Sequence, residues 1–469
     1  MLIDSHAHMN MSQFRDDLSA VLERAALAGV GEILNVGYDP ASIEETIALV
    51  DKYPAIYAAV GIHPHHATDW NGYLEDRIKQ FLLRRKVLAV GEIGLDYYRD
   101  LSPRDIQQDV FRRQIGLARQ FGKPIIIHCR EAFPDVIRIM KEEKAFEVGG
   151  IFHAFSGGEA EAGQVLDLGF LIGIGGPLTY PKSILPAVAE RLPSSSFVLE
   201  TDCPYLPPQA YRGKRNEPAY VALVAEKLAA IRGVEIDDIA RAAETNFRGM
   251  FHGEKDVPVS VAYSLKKSIY INVTASCTND CAFCTRFRSN NNLYGYNLNL
   301  LADPSVAEMV SAVGEAMLPG DFREIVFCGY GEPTARLKAL RETASKIGKH
   351  GLPMRLNTNG QGNMINRRNI VPELEEYFSK VSISLNAQDR ETYMRVCKPD
   401  MGEQAFDAVL DFVRAVAASR MDCTVTALDY PEVDLEATRV LVESIPGAKF
   451  KVRKYHFPAI SGQDIPEQV

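Results

Sequence analysis

Two histidines two residues apart, His6 and His8, close a short apolar run that starts at Leu2. Side chains two apart on an extended segment share a face, so this pair can grip one cation. Glu92, His128, His153 and Asp202 each follow a further short apolar run. Four imidazoles and two carboxylates make a donor set suited to a pair of divalent ions, with magnesium, manganese and zinc all compatible. A carboxylate can bridge two cations and an imidazole cannot, so Glu92 is expected to be shared. His6 and His8 then belong to one ion and the remaining histidines to the other. Two ions roughly 4 Å apart can activate a water and stabilise the oxygens of an in-line displacement at phosphorus. Asp202 is placed to ligate the first ion and take the water's proton.

A second constellation is Cys277-Thr-Asn-Asp-Cys281-Ala-Phe-Cys284, a C-x3-C-x2-C loop. Three thiolates can hold three irons of a 4Fe–4S cluster and leave the fourth iron free. S-adenosylmethionine can chelate that iron through its amino and carboxylate groups. One electron, expected from a reductase or flavodoxin-type donor, then splits a carbon–sulfur bond and yields an adenosyl radical that removes hydrogen from carbon. The competing reading is a zinc site, which wants a fourth ligand nearby, and the next histidine, His252, lies on the far side of a strand. Cys328, Cys397 and Cys423 lack paired spacing and read as buried thiols or, alternatively, as an auxiliary cluster.

These groups need a scaffold that gathers them, and the apolar pattern supplies one. Eight short runs alternate with helical stretches: Leu2–Ser5, Glu32–Val36, Ile56–Val60, Val87–Gly91, Pro124–Ile127, Gly150–Phe152, Phe170–Ile174 and Phe197–Leu199. Eight such units over about 250 residues predict a closed α/β barrel of (β/α)8 type, whose strand ends converge on one mouth. A last helix over Ile236–Met250 would complete it. The polar stretch from residue 255 to 262 reads as a linker between a domain of residues 1–254 and one of residues 263–469. Beyond it six runs, Ser268–Val273, Glu324–Cys328, Met354–Asn357, Val381–Leu385, Cys423–Ala427 and Lys449–Val452, predict an open, partial (β/α)6 barrel.

The bulk properties restrict the remaining classes. With 469 residues and 46% apolar content, the chain can bury more than one core. The net charge of -9 divides unevenly, with 28 basic against 35 acidic residues up to Lys255. Neither half is a polycation, so a nucleic acid would have to be held in a local groove. No apolar run reaches membrane-spanning length, and no charged-then-apolar leader opens the sequence. Three of the eight cysteines fall within eight positions, which predicts metal binding in a reducing cytoplasm rather than a disulfide framework.

The strings Asp4-Ser-His-Ala-His8, Gly61-Ile-His63-Pro-His, Gly91-Glu92-Ile-Gly-Leu-Asp-Tyr-Tyr, Lys123-Pro-Ile-Ile-Ile-His128-Cys-Arg, His153-Ala-Phe-Ser-Gly and Glu200-Thr-Asp202-Cys-Pro resemble the TatD deoxyribonucleases. The resemblance implies a metal-dependent hydrolase that cuts DNA or a nucleotide-related substrate from an end. It gives His6, His8, Glu92, His128, His153 and Asp202 the metal roles and puts His63 on the substrate side of the catalytic mouth. Cys203 stands where a small residue is common. Arg130, Arg212, Lys214, Arg215 and Asn216 follow strands five and eight, on the metal face, and are candidates to hold phosphate. Arg84-Arg-Lys86 precedes strand four and should face the opposite end.

The cysteine loop, with Phe283 before its last cysteine, resembles the radical S-adenosylmethionine superfamily. Gly329-Tyr-Gly331-Glu332 is similar to its glycine–glutamate element, where glycine lets backbone approach the methionine amino group. Asn357, Asn359, Ser384 and Asn386 resemble the strand ends that line the cofactor's ribose and carboxylate. Together these readings imply a bifunctional enzyme. Two other readings stay open: an amide or ester hydrolase in the first domain, or a binding module that delivers nucleic acid to its neighbour.

Overall fold

The computed structural model describes residues 1–284, 292–318 and 320–455. The chain divides into two compact units, Met1–Asp256 and Val257–Val469. The boundary falls inside the polar stretch read as a linker.

In the first unit eight strands pair in sequence order, all parallel. They are β1 (Leu2–Ala7), β2 (Val30–Gly37), β3 (Ile56–Val60), β4 (Val87–Asp96), β5 (Ile125–Arg130), β6 (Gly150–Phe152), β7 (Phe170–Ile174) and β8 (Phe197–Leu199). Parallel neighbours require crossovers, and the helices that make them start and stop on local signals. Asp39 caps Pro40–Lys52 by accepting from Ser42 N, and Asn71 caps Gly72–Leu82 by accepting from Leu74 N. The ring closes where Asp202 N donates to His6 O at 2.9 Å and His8 N to Cys203 O at 2.8 Å. Closure therefore sets three of the expected metal-binding residues side by side. Below the mouth, Ile3, Leu34, Ala59, Ile126, Ile151, Leu171 and Val198 pack into one dry cluster with Phe247 and Phe251. Each such buried side chain contributes about 1.5–3 kcal/mol, so the floor under the polar mouth is rigid.

Strands β1, β2, β4 and β5 run further than their apolar runs indicate, β4 by the most. β4 extends to Asp96, which puts Glu92 inside the strand, and its pairing register shifts between Val90 and Ile93. An irregularity of this kind re-aims a side chain that the regular pleat would send elsewhere. The last helix, Ile236–Phe247, stops short of Met250 and continues as a π-helical turn, Arg248–His252.

The second unit holds a seven-stranded sheet. β9 (Ala262–Leu265) and β10 (Ser268–Asn272) open it. A two-stranded hairpin of β11 (Asn292–Leu293) and β12 (Tyr296–Asn297) stands apart, and β13 (Glu324–Cys328), β14 (Met354–Thr358), β15 (Lys380–Ser384), β16 (Asp422–Leu428) and β17 (Ala448–Arg453) complete the sheet. The order is β17-β16-β15-β14-β13-β10-β9, parallel throughout except for β9, which is antiparallel to β10. This is an open partial barrel with one strand more than the six expected. The turn between β9 and β10 is Lys266-Lys267, both with positive φ. Such turns normally announce themselves with Asn or Gly, so this hairpin carries no sequence signal. Along β10 and β13–β16, alternate residues such as Ile269, Phe327, Leu356, Ile383 and Val425 enter the core shared with the covering helices. Among the described residues, no helix is long and apolar enough to cross a membrane.

Candidate active sites

The barrel mouth brings all six expected metal-binding residues together, and His63 with them. Glu92 divides its oxygens between two groups of imidazoles. Oε2 lies 3.5 Å from His6 Nε2 and 3.8 Å from His8 Nε2. Oε1 lies 2.7 Å from His128 Nδ1, 2.7 Å from His153 Nε2 and 3.7 Å from His63 Nε2. Asp202 Oδ1 faces His8 Nε2 at 3.4 Å and His6 Nε2 at 3.8 Å. Donor atoms of His6, His8 and Glu92, of His6, His153 and Asp202, and of His63, Glu92 and His128 each fall within 4.8 Å of one another. His8 Nδ1 lies 3.2 Å from Val36 O, which leaves Nε2 for the pocket. The ion pairs of Glu92 and Asp202 are all with histidine, so among the described residues no lysine or arginine offsets their charge. That buried set fits divalent ions, which would supply the missing positive charge.

The same crowding moves protons. Burial disfavours a charge on His153, yet Glu92 beside it outweighs this and lifts the imidazole to about 10. Burial and the neighbouring His153 push His6 down to about 4. Burial opposes ionisation of Glu92, but His153, His128 and His6 hold it well below the usual carboxylate range. Burial also raises two acids behind the pocket, Asp4 to about 7 and Glu200 to about 8. Without metal, His153, Asp4 and Glu200 all bind their protons more tightly folded than unfolded. Above roughly 6.5, where the lowered His6 and His63 are neutral in both states, the fold carries more protons than the unfolded chain, and stability falls as pH rises from there to roughly 10. Thermal unfolding in a chelator should therefore show a falling midpoint across this window, whereas divalent metal, which favours deprotonated ligands, should restore it at the alkaline end.

Residues outside the expected set complete the mouth. Asp96 accepts from Tyr98 N and Arg99 N through Oδ1, while Oδ2 faces His65 Nε2 at 2.8 Å and His128 Nε2 at 3.1 Å. It thereby fixes which nitrogen of His128 points at Glu92. Its position in the Gly91–Tyr98 string was the signal available, but only the extended β4 shows that Asp96 reaches the pocket. Asp96→Asn is expected to weaken metal affinity by about 10–100-fold, as loss of an outer carboxylate does elsewhere, measured by competition with a chromogenic chelator. Asp4, fully buried, accepts from His6 N and from Thr201 N and Oγ1, locking β1 to the residues after β8.

Of the five expected phosphate-holding residues, Lys214 is exposed over the Tyr211 ring and the other four separate into two pairs. Arg215 pairs bidentately with Asp17, at 2.8 and 2.7 Å, and donates to Gln13 O. Asn216 has no exposed surface and donates to Thr201 O and Tyr205 O, both at 2.7 Å. Both are committed to holding the β8 loop, because a buried amide or paired guanidinium must satisfy its donors within the fold. Arg130 and Arg212 stay exposed, stacked over Tyr98 and Tyr180 at 4.8 and 4.3 Å, and their guanidinium edges remain available to a phosphate.

In the second unit the loop after β10 carries Cys277, Cys281 and Cys284, all half-buried free thiols. The loop is pinned by Asp280 N to Lys398 O at 3.1 Å and Ala282 N to Val396 O at 2.8 Å. Burial pushes the Cys277 thiol up to about 12, with Glu332, Cys281 and Cys284 close enough to add to it. Three thiols carried on one half-buried loop fit a cluster that takes them as thiolates. Among the described residues, no cysteine triad gathers its sulfurs within 4.8 Å, as one zinc ion would require. Cys397 is buried beside Cys281, and its Sγ donates to Leu385 O at 3.9 Å. Cys423 faces Val413 O, and Cys328 lies 3.8 Å from Tyr263 Oη, so these thiols have separate surroundings.

The remaining expected cofactor contacts form a scaffold around that loop. Glu332 is buried and accepts from Thr334 N and Oγ1, Thr358 Oγ1 and Asn359 N. It ties the ends of β13 and β14 together. Asn359 donates to Thr278 Oγ1 at 2.9 Å, reaching the cluster loop, whereas Asn357 accepts from Arg355 at 2.7 Å. A Cβ on Gly329 or Gly331 would come within 2.6 Å of Thr274 O or 2.2 Å of Ser276 O. The glycines allow close passage against the loop after β10. Phe283 packs edge-on against Tyr430, Asn386 accepts from Leu428 N, and Ser384 stays half-buried on β15.

Known proteins match these two units separately. The family model for TatD-related DNases matches residues 3–252, and the model for the radical SAM superfamily matches residues 271–445. An uncharacterized metal-dependent hydrolase of Bacillus subtilis, YabD, is 43% identical over 252 residues, which is 54% of this chain and 99% of that protein. The 3′-5′ ssDNA/RNA exonuclease TatD of a Rahnella species is 33% identical over 251 residues, 52% of this chain and 95% of that one. The crystal structure of the Escherichia coli TatD homologue YjjV superposes with a TM-score of 0.51 at 35% identity, covering 55% of this chain and 98% of its own.

Proposed function

We propose, because this chain belongs to the TatD-related DNase family and carries a radical SAM domain behind that barrel, that it is a bifunctional enzyme whose first domain hydrolyses phosphodiester bonds of DNA. The divided carboxylate of Glu92, one oxygen toward each set of imidazoles, is the observation that carries this reading. In it, His6, His8, Asp202 and Glu92 hold one divalent ion, and His128, His153 and Glu92 hold the second. When bound, the ions activate water and offset the charge of the phosphate oxygens. Asp202 accepts the water's proton, while His63 orients the scissile group from the substrate side. Arg130 and Arg212 hold the flanking phosphate. The exonuclease naming of the Rahnella relative supports a nucleic acid as substrate.

In the second domain, Cys277, Cys281 and Cys284 hold a 4Fe–4S cluster, and Asn359, Glu332 and Asn386 keep the surrounding strand ends in place for S-adenosylmethionine. The cofactor supplies hydrogen abstraction from carbon. A reductase or flavodoxin-type protein delivers the electron, a nucleotide-related molecule is the acceptor of the chemistry, and the half-buried cysteine triad calls for a reducing cytoplasm. Incubation of single-stranded oligonucleotides with magnesium, manganese or zinc, against a chelator, tests the hydrolase. Metal-dependent shortening from one end is expected. Intact oligonucleotides under every metal, alongside hydrolysis of a simple ester, would overturn it in favour of carbonyl chemistry.

A further inference from the structure

The inner face of the second unit's sheet is polar where most sheet interiors are apolar. Residues that alternate with the core-facing ones on β14, β15 and β17 include Arg355, Lys380, Lys449, Lys451 and Arg453, set in register across the parallel strands. Three of these cations have a carboxylate. Arg355 pairs with Glu324 at 2.8 Å, Lys380 approaches the same Glu324 at 4.0 Å, and Lys449 meets Asp422 at 2.5 Å. Among the described residues, no carboxylate pairs with Lys451 or Arg453.

Arg453 sits at the end of the last strand, with four strands between β17 and β10 in the sheet. Tyr270 on β10, Cys328 on β13 and Arg355 on β14 lie on the same inner face of the sheet and act on its charge. Arg453 is exposed, on the face of β17 that does not enter the core. Its surroundings still desolvate it, and burial, with Arg355 adding and Tyr270 opposing, holds it below the usual arginine range. Cations gathered on one face with no carboxylate between them repel one another, and an anion relieves that repulsion.

We propose that Arg453 and Lys451 bind an anionic group, phosphate or carboxylate, on the molecule that the radical domain transforms. Lys451 lies two residues before Arg453 and so on the same face of β17, where an ammonium and a planar guanidinium can flank one anion from two sides. Arg355, held by Glu324 and Asn357, closes the far wall without being consumed by it. The radical substrate is then a small acid or phosphate ester entering the open barrel, and not a neutral hydrocarbon.

This rests on the radical-domain reading, and one experiment separates the two. Inorganic phosphate and acetate are titrated calorimetrically into the anaerobically reconstituted full chain, preloaded with S-adenosylmethionine, for the wild type, Arg453→Gln and Lys451→Gln. Phosphate bound by the first domain is common to all three and cancels in the difference. A saturable component for one of the two anions, weakened at least roughly tenfold in both variants, with S-adenosylmethionine affinity unchanged, is expected; which anion shows it distinguishes a phosphate ester from a carboxylic acid. No difference between wild type and variants overturns the proposal. So does a matching loss of S-adenosylmethionine affinity, which would assign the pair to the cofactor's own carboxylate. Failure of the wild type to bind S-adenosylmethionine would sink the radical-domain reading and this site with it.

Discussion

Glu92→Gln is expected to lower DNA hydrolysis by about a thousandfold, equivalent to roughly 4 kcal/mol of transition-state stabilisation, while oligonucleotide binding changes only a few-fold. The reason is the position of this carboxylate between two imidazole sets, with 2.7 Å contacts on one oxygen and 3.5 Å and 3.8 Å contacts on the other. Gln keeps the size and one acceptor but cannot bring the negative charge that a shared ligand of two cations needs. Its amide nitrogen would also point a donor at an imidazole or an ion. Binding survives because Arg130 and Arg212 stand on the rim, independent of the metals. Initial rates and gel-shift titrations on the same oligonucleotide check both halves. A loss below tenfold would mean that Glu92 is not the bridge.

Cys281→Ser is expected to yield colourless protein whose iron content and 5′-deoxyadenosine formation both drop by at least roughly a hundredfold, with oligonucleotide hydrolysis unchanged. Two thiolates cannot retain a cluster that three hold with one iron already open. Cys397→Ala is the control, since Cys397 is buried beside Cys281 but lies outside the C-x3-C-x2-C spacing. It should keep its iron and lose some thermal stability, because removing a buried thiol leaves a small void. If Cys397→Ala loses the cluster and Cys281→Ser does not, the assignment of the three thiolates is wrong.

The barrel was legible because parallel strands buried on both faces write themselves as apolar runs, and the residues that follow them reach one mouth by geometry alone. That is why His6, His8, His128, His153 and Asp202 could be grouped before any coordinates. What spacing did not reveal depends on the third dimension. β4 continues five residues beyond Gly91, and that extension carries Asp96 to His128 and His65. Arg215 and Asn216 carry the right chemistry for phosphate, but only packing shows that Asp17, Thr201 and Tyr205 have already claimed their donors. β9 was hidden by a Lys266-Lys267 turn whose left-handed backbone lacks the usual residues. The same limit applies to Arg453, whose meaning depends on which groups share the inner face of the sheet.

Elemental analysis of the full chain, purified and reconstituted without oxygen, tests most directly whether one polypeptide holds both centres. Roughly four irons and four sulfides per chain, together with roughly two further divalent ions that Glu92→Gln diminishes and Cys281→Ser spares, is the expected result. Protein that carries neither iron nor sulfide after reconstitution, or whose divalent ions are insensitive to Glu92→Gln, would contradict it.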